Sequence, residues 1–126
     1  MRGSSSSGGR AGERAAEKEA RRRGLTVLER NLVAGGAEID LVALDGEVLV
    51  FIEVKARSSD AHGVPEEFVD LDKRRRIVRG ARAFLKGKRL LDRPRRYDIA
   101  AVRLGPKGRP EGVRWTEAAF DEGEVP

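Results

Sequence analysis

The stretch Glu38-Ile39-Asp40-Leu41-Val42-Ala43-Leu44-Asp45-Gly46-Glu47-Val48-Leu49-Val50-Phe51-Ile52-Glu53-Val54-Lys55 holds two apolar runs around an Asp-Gly step. Such a step between apolar runs predicts a β-hairpin, because a tight hairpin turn needs residues that accept positive φ. With Asp45-Gly46 as a two-residue loop, Leu44 faces Glu47, Val42 faces Leu49, Asp40 faces Phe51 and Glu38 faces Glu53. Alternation then sends Glu38, Asp40, Glu53 and Lys55 to one side of the hairpin. Asp40 and Glu53 become diagonal neighbours, roughly 7 Å apart at the backbone. Charges on strands of Val, Leu and Ile are costly to bury unless something pairs with them. A conflict of this kind between pattern and chemistry marks a candidate functional site.

Two carboxylates at that spacing repel each other unless a proton or a cation lies between them. A divalent ion with oxygen ligands resolves the repulsion, and Mg²⁺ (or Mn²⁺) suits a site with few carboxylates and several waters. Lys55, two residues beyond Glu53, leans over the same place. An amine there can orient or deprotonate a water, or steady a phosphate.

Asp40, followed about a dozen residues later by Glu53-Val54-Lys55, resembles the PD-(D/E)xK signature of restriction-endonuclease-like nucleases. The wording is closer still to one branch, the YraN-like, endonuclease-related bacterial proteins. The matching pieces are Gly12-Glu13, Arg30-Asn31, Glu38-Ile39-Asp40-Leu41, Phe51-Ile52-Glu53-Val54-Lys55, Lys73, Arg96-Tyr97-Asp98 and Ala119-Phe120, in order over residues 11–120. Ala37 stands where the pattern usually has Gly, and the first helix carries Ala and Glu where bulky apolar residues are usual. The resemblance implies a restriction-endonuclease-like core in the order helix, three antiparallel strands, helix, further strands. It implies a Mg²⁺-dependent endodeoxyribonuclease with Asp40, Glu53, the Val54 carbonyl and Glu13 as metal ligands and Lys55 as a catalytic residue. No base-reading module is visible, so specificity is expected for shape rather than sequence. Fold analogy with dimeric branched-DNA resolvases points to branched or flapped DNA and to a homodimer. Two other readings compete: a non-catalytic nucleic-acid-binding module with a vestigial site, and a purely structural network of buried ions.

Composition sets the outer bounds. The chain has 126 residues, 37% of them charged and 5% aromatic, so one domain with a core of Val, Leu, Ile and Ala is expected. A net charge of +5 and a sequence pI near 10.1 suit a polyanionic partner, DNA above all. With no Cys and a single His, His62, thiolate and multi-His metal sites are excluded. No apolar run approaches a membrane span and no hydrophobic signal region follows the start, so a cytoplasmic location is the default.

Residues 1–10 are low in complexity and read as a disordered leader. Residues 11–23 read as a helix stopped by Gly24, with Glu13, Ala16 and Ala20 on one face. Glu13 there is either an acid favoured by the helix dipole in the first turn or, as the resemblance implies, a further carboxylate of the metal site. A strand follows over 25–33, with Asn31 as a turn or strand-end residue bonding backbone. Beyond Lys55 a polar loop over 58–65 carries Ser59 and a solvated His62.

Residues 73–86 read as a second helix, with Ile77, Ala81, Phe84 and Leu85 on its apolar face and Arg75, Arg79, Arg82 and Lys86 as a basic stripe. Twelve basic residues and one acid, Asp92, lie between Lys73 and Arg96. This cluster reads as a surface that tracks phosphates, with Lys73 the residue best placed to touch one. Strands over 97–104 and 113–115 complete the elements, with Asp98 paired to an arginine and Trp115 as a packing residue. An acidic tail over 121–126 is expected to fray. Alternation of strands and helices around the hairpin argues for an α/β domain, a mixed central β-sheet flanked by helices.

Overall fold

A computed structural model describes residues 9–58 and 69–124. Its elements are α1 (Gly9–Arg22), β1 (Thr26–Ala34), β2 (Ala37–Asp45), β3 (Val48–Ser58), α2 (Leu71–Gly87), β4 (Arg95–Leu104) and β5 (Pro110–Phe120), with short helical turns at Pro106–Gly108 and Glu122–Glu124. The five strands form one sheet in chain order. Every neighbouring pair is antiparallel except β3 with β4, which is parallel. That one parallel step needs a crossover, and α2 lies within it. No helix among the described residues is long and apolar enough to cross a membrane.

The sheet carries a core on each face. Phe51 and Leu49 of β3 join Ile77, Val78, Ala81 and Leu85 of α2, while Val50, Ile52 and Val54 join Ala16 and Ala20 of α1. Strand alternation explains why one apolar run serves both cores. Phe51 stacks on Tyr97 at 5.7 Å and Tyr97 on Phe120 at 5.1 Å, extending the α2-side core across three strands. Gly80 is where α2 comes closest to the sheet: a Cβ there would meet the Ala34 carbonyl oxygen and the Ala37 Cβ at 3.1 Å.

The hairpin differs from its expected register. Asp45 pairs with Val48, so the turn is Gly46-Glu47 and each β2 residue meets the β3 residue two positions later than predicted. Gly46 alone takes positive φ, 61°, as a turn with Gly at its first central position requires. Asp45 stays in the strand, where its carboxylate accepts from Arg96 at 2.7 Å. A slip of two residues leaves the side chains of the paired stretch, Leu41–Asp45 and Val48–Ile52, on their predicted faces.

Other boundaries move as well. α1 begins at Gly9, inside the expected leader, so Glu13 lies past the first turn, which contains no acid. α2 begins at Leu71 because Asp70 caps it, accepting the Lys73 N–H at 2.9 Å. β5 runs from Pro110 to Phe120, far beyond the three residues expected; Pro, Gly and a register shift opposite Tyr97–Ile99 disguise this edge strand. Nor does the tail fray at once: Glu122 accepts from Arg95 Nε and the Tyr97 hydroxyl, both at 2.6 Å, and from Arg82 at 3.2 Å. Those donors, Arg95 foremost, hold its carboxyl down at about 2. Residues 1–8, the segment 59–68 with Ser59 and His62, and residues 125–126 lie outside the described residues.

Asp98 resolves as a structural acid. It is fully buried and accepts from Arg96 Nε at 3.0 Å, Trp115 Nε1 at 2.9 Å and the Ala118 N–H at 2.9 Å. These bonds join β4 to the irregular stretch of β5, where Ala118 has a φ of 51°. Asp98→Ala strands an indole N–H and a backbone N–H and removes one partner of Arg96, which keeps Asp45. It is expected to cost about 3–5 kcal/mol in urea unfolding; a loss below about 1 kcal/mol would contradict this role.

Candidate active site

Past Leu41 and Ile52 the β2–β3 ladder stops, although both strands continue. Asp40 and Glu53 are the next residues on the two strands, just past the last ladder pair. Side-chain alternation also breaks here. Ile39 and Val42 face the α2 core, whereas Leu41 and Ala43 face the α1 core. Asp40 sits at the break, so plain alternation does not place Glu38 and Asp40 on a common side. The Asp40 carboxylate instead turns toward β3, where Oδ2 accepts the Val54 N–H at 2.8 Å. The side chain takes the place of a ladder bond that the parting strands no longer make.

Glu53 is 2% exposed, and neither carboxyl oxygen has a hydrogen-bond donor among the described residues. Lys73 Nζ stands 3.3 Å from Oε2, near enough for an ion pair but not aligned for a hydrogen bond. Burial, and then the charge of Asp40, push the Glu53 carboxyl up to about 8; Lys73 and Lys55 oppose the shift without cancelling it. Lys55 shares a strand face with Glu53 and is half-buried.

On the other side of Asp40, a pocket of about 230 Å³ is lined by Glu13, Asn31 and Asp40, with Arg10 and Arg14 also bordering it. Glu13 reaches this pocket from the second turn of α1, where the dipole explanation of its acidity no longer applies. Glu38 borders a separate hollow with Lys73 and Arg76. The structure thus brings Asp40, Glu53, Lys55 and Lys73 into one electrostatic cluster and Glu13 and Asp40 to one pocket. No group of three acidic, His or Cys side chains able to hold a metal occurs among the described residues.

Two placements were missed by sequence reasoning. Lys73, grouped with the phosphate-facing residues, points its amine at Glu53; its position three residues after a capping Asp was the available signal. Asn31, read as a turn or strand-end residue, lies inside β1 with a φ of 50°. Within the basic stripe Arg75 and Lys86 are exposed, but Arg79 donates to the Gly35 carbonyl at 3.0 Å and Arg82 to Glu122.

The pattern of Uncharacterised protein family UPF0102 matches residues 12–102. The chain belongs to the UPF0102 family. A UPF0102 protein of Hahella chejuensis is 44% identical over 112 residues, 89% of this chain and 88% of that protein. One of Moorella thermoacetica is 43% identical over 112 residues, 89% and 93% of the two chains. A third, of Pseudomonas aeruginosa, is 38% identical over 121 residues, 95% and 97%. The UPF0102 span takes in Glu13, Asn31, Asp40, Glu53, Lys55 and Lys73, and ends before Trp115 and Glu122.

A raised carboxyl pKa has a definite sign in stability. Between 4.5 and about 8 the folded protein holds a proton at Glu53 that the unfolded chain releases. Stability from this group is therefore full below pH 4.5 and falls as pH rises to 8. In EDTA, Glu53→Gln is expected to melt higher than the wild type, by a margin that widens from pH 5 to pH 8 and then levels off. A margin that is constant across that range, followed by thermal unfolding, would contradict the assignment.

Proposed function

We propose that this protein is a metal-dependent endonuclease of the PD-(D/E)xK type, built on a restriction-endonuclease-like core and hydrolysing phosphodiester bonds in branched or flapped DNA. The observation that carries the reading is the Glu53 carboxyl, buried beside Asp40 with neither oxygen hydrogen-bonded among the described residues. A buried acid pair of this kind fits a divalent cation. Two carboxylates and a backbone carbonyl leave room for the several waters that Mg²⁺ retains. The competing reading as a self-contained ion network fares worse, because two lysines leave Glu53 raised to about 8 rather than held low.

Asp40, Glu53 and the Val54 carbonyl would hold Mg²⁺ or Mn²⁺, with Glu13 joining from α1. When bound, the cation supplies Lewis-acid charge toward the scissile phosphate. Lys55 orients the attacking water. Lys73 offers its ammonium to a phosphate oxygen, where charge builds as the P–O bond breaks. Arg75, Arg79, Arg82 and Lys86 follow backbone phosphates, adding affinity without sequence information. A branched duplex presents two strands to cut, which suits two copies acting as a homodimer.

The test is a panel of linear, flapped and branched duplexes with Mg²⁺, Mn²⁺ or EDTA. Wild-type protein is expected to cut a branched or flapped member only with metal. Asp40→Ala is expected to lower cutting by about 100-fold or more while DNA binding persists. If wild type binds the panel and cuts none of it, the non-catalytic module becomes the better reading.

A further inference from the structure

We propose that Asn31 belongs to the same site, its side-chain carbonyl supplying an oxygen to a divalent cation held beside Asp40. The inference rests on the metal-dependent reading above and adds a residue to it. Asn31 lies in the interior of β1 yet has a φ of 50°. No turn demands that conformation, since pairing with β2 continues on both sides, Arg30 with Leu41 and Leu32 with Ile39. The same register sets Asn31 opposite Asp40. A left-handed residue inside a strand costs about 1–3 kcal/mol, and such strain gathers at functional sites. Asn meets that cost best when its side chain bonds nearby backbone. Here Oδ1 is buried and has no donor among the described residues, so no bond accepted by that oxygen offsets the strain.

Asn31, Asp40 and Glu13 line a pocket of about 230 Å³ that Arg10, Arg14, Glu17 and Arg30 also border, with Arg30 paired to Glu17; it has room for a cation with several waters. Acids alone do not complete a set of three there. An amide oxygen supplies a hard ligand without charge. Asn31 on β1 stands beside Asp40 on β2, whose carboxylate reaches the Val54 N–H next to Glu53 on β3, so Asp40 is the member common to the pocket and to the acid pair.

The test compares Mn²⁺ binding by calorimetry, and thermal unfolding in EDTA, for wild type, Asn31→Gly and Asn31→Asp. Glycine takes positive φ freely, so Asn31→Gly keeps the strand geometry and removes only the amide. It is expected to bind Mn²⁺ at least about tenfold more weakly with an EDTA melting temperature no lower than wild type. Asn31→Asp restores an oxygen and is expected to bind at least as tightly as wild type. Equal Mn²⁺ affinity in wild type and Asn31→Gly overturns the role of Asn31 and leaves the metal-dependent reading standing. Absence of Mn²⁺ binding by wild type overturns both. Should Asn31→Gly melt lower in EDTA, the Asn31→Asp arm decides: retained or greater affinity supports the site, and lost affinity overturns it.

Discussion

Glu53 is an acid set on a central strand, beneath a helix, with apolar neighbours on the same sheet face and another acid across the gap. It is almost wholly buried, no hydrogen bond reaches its oxygens among the described residues, and two lysines fail to bring its pKa back to the ordinary range. A protein spends stability to keep such a group. The surrounding architecture is what keeps it in place: β3 is paired with β4 along its length, and both cores draw on β3 side chains.

Asp98 shows what the same chemistry looks like when its purpose is structural. It is as deeply buried as Glu53, yet its oxygens receive a guanidinium, an indole and a backbone N–H. Both acids interrupt apolar strands in the sequence and both lie inside the protein. Only the count of donors separates them, and that count is the physical ground for treating one as a brace and the other as a site.

The neighbours of Glu53 are positioned by local irregularities. β2 and β3 part just before Asp40, which frees the Val54 N–H and lets the Asp40 carboxylate take it. β1 kinks at Asn31 opposite the same residue. Asp70 starts α2 at the point that brings Lys73 over Glu53. Regular secondary structure builds the sheet, and its departures from regularity gather the polar groups.

Much of this was legible in the chain itself. The hairpin, both helices, the pairing of Asp98 with arginine, the packing role of Trp115 and the nomination of Asp40, Glu53 and Lys55 follow from the pattern of residues, while Glu13 was nominated through the family resemblance. Strand faces survived the slipped register within the paired stretch, because a two-residue shift preserves alternation, but not at Asp40, where alternation breaks. What lay beyond the sequence was set by distant partners. The length of β5 depends on pairing with β4, and the hold on Glu122 depends on Arg95 and Tyr97, far from it in the chain. The direction of Lys73 and the missing donors at Glu53 and Asn31 arise only when α1, α2 and three strands pack together. Periodicity reports which face a residue takes; whether a buried oxygen finds a donor is a fact of three-dimensional neighbours, and no local pattern records it.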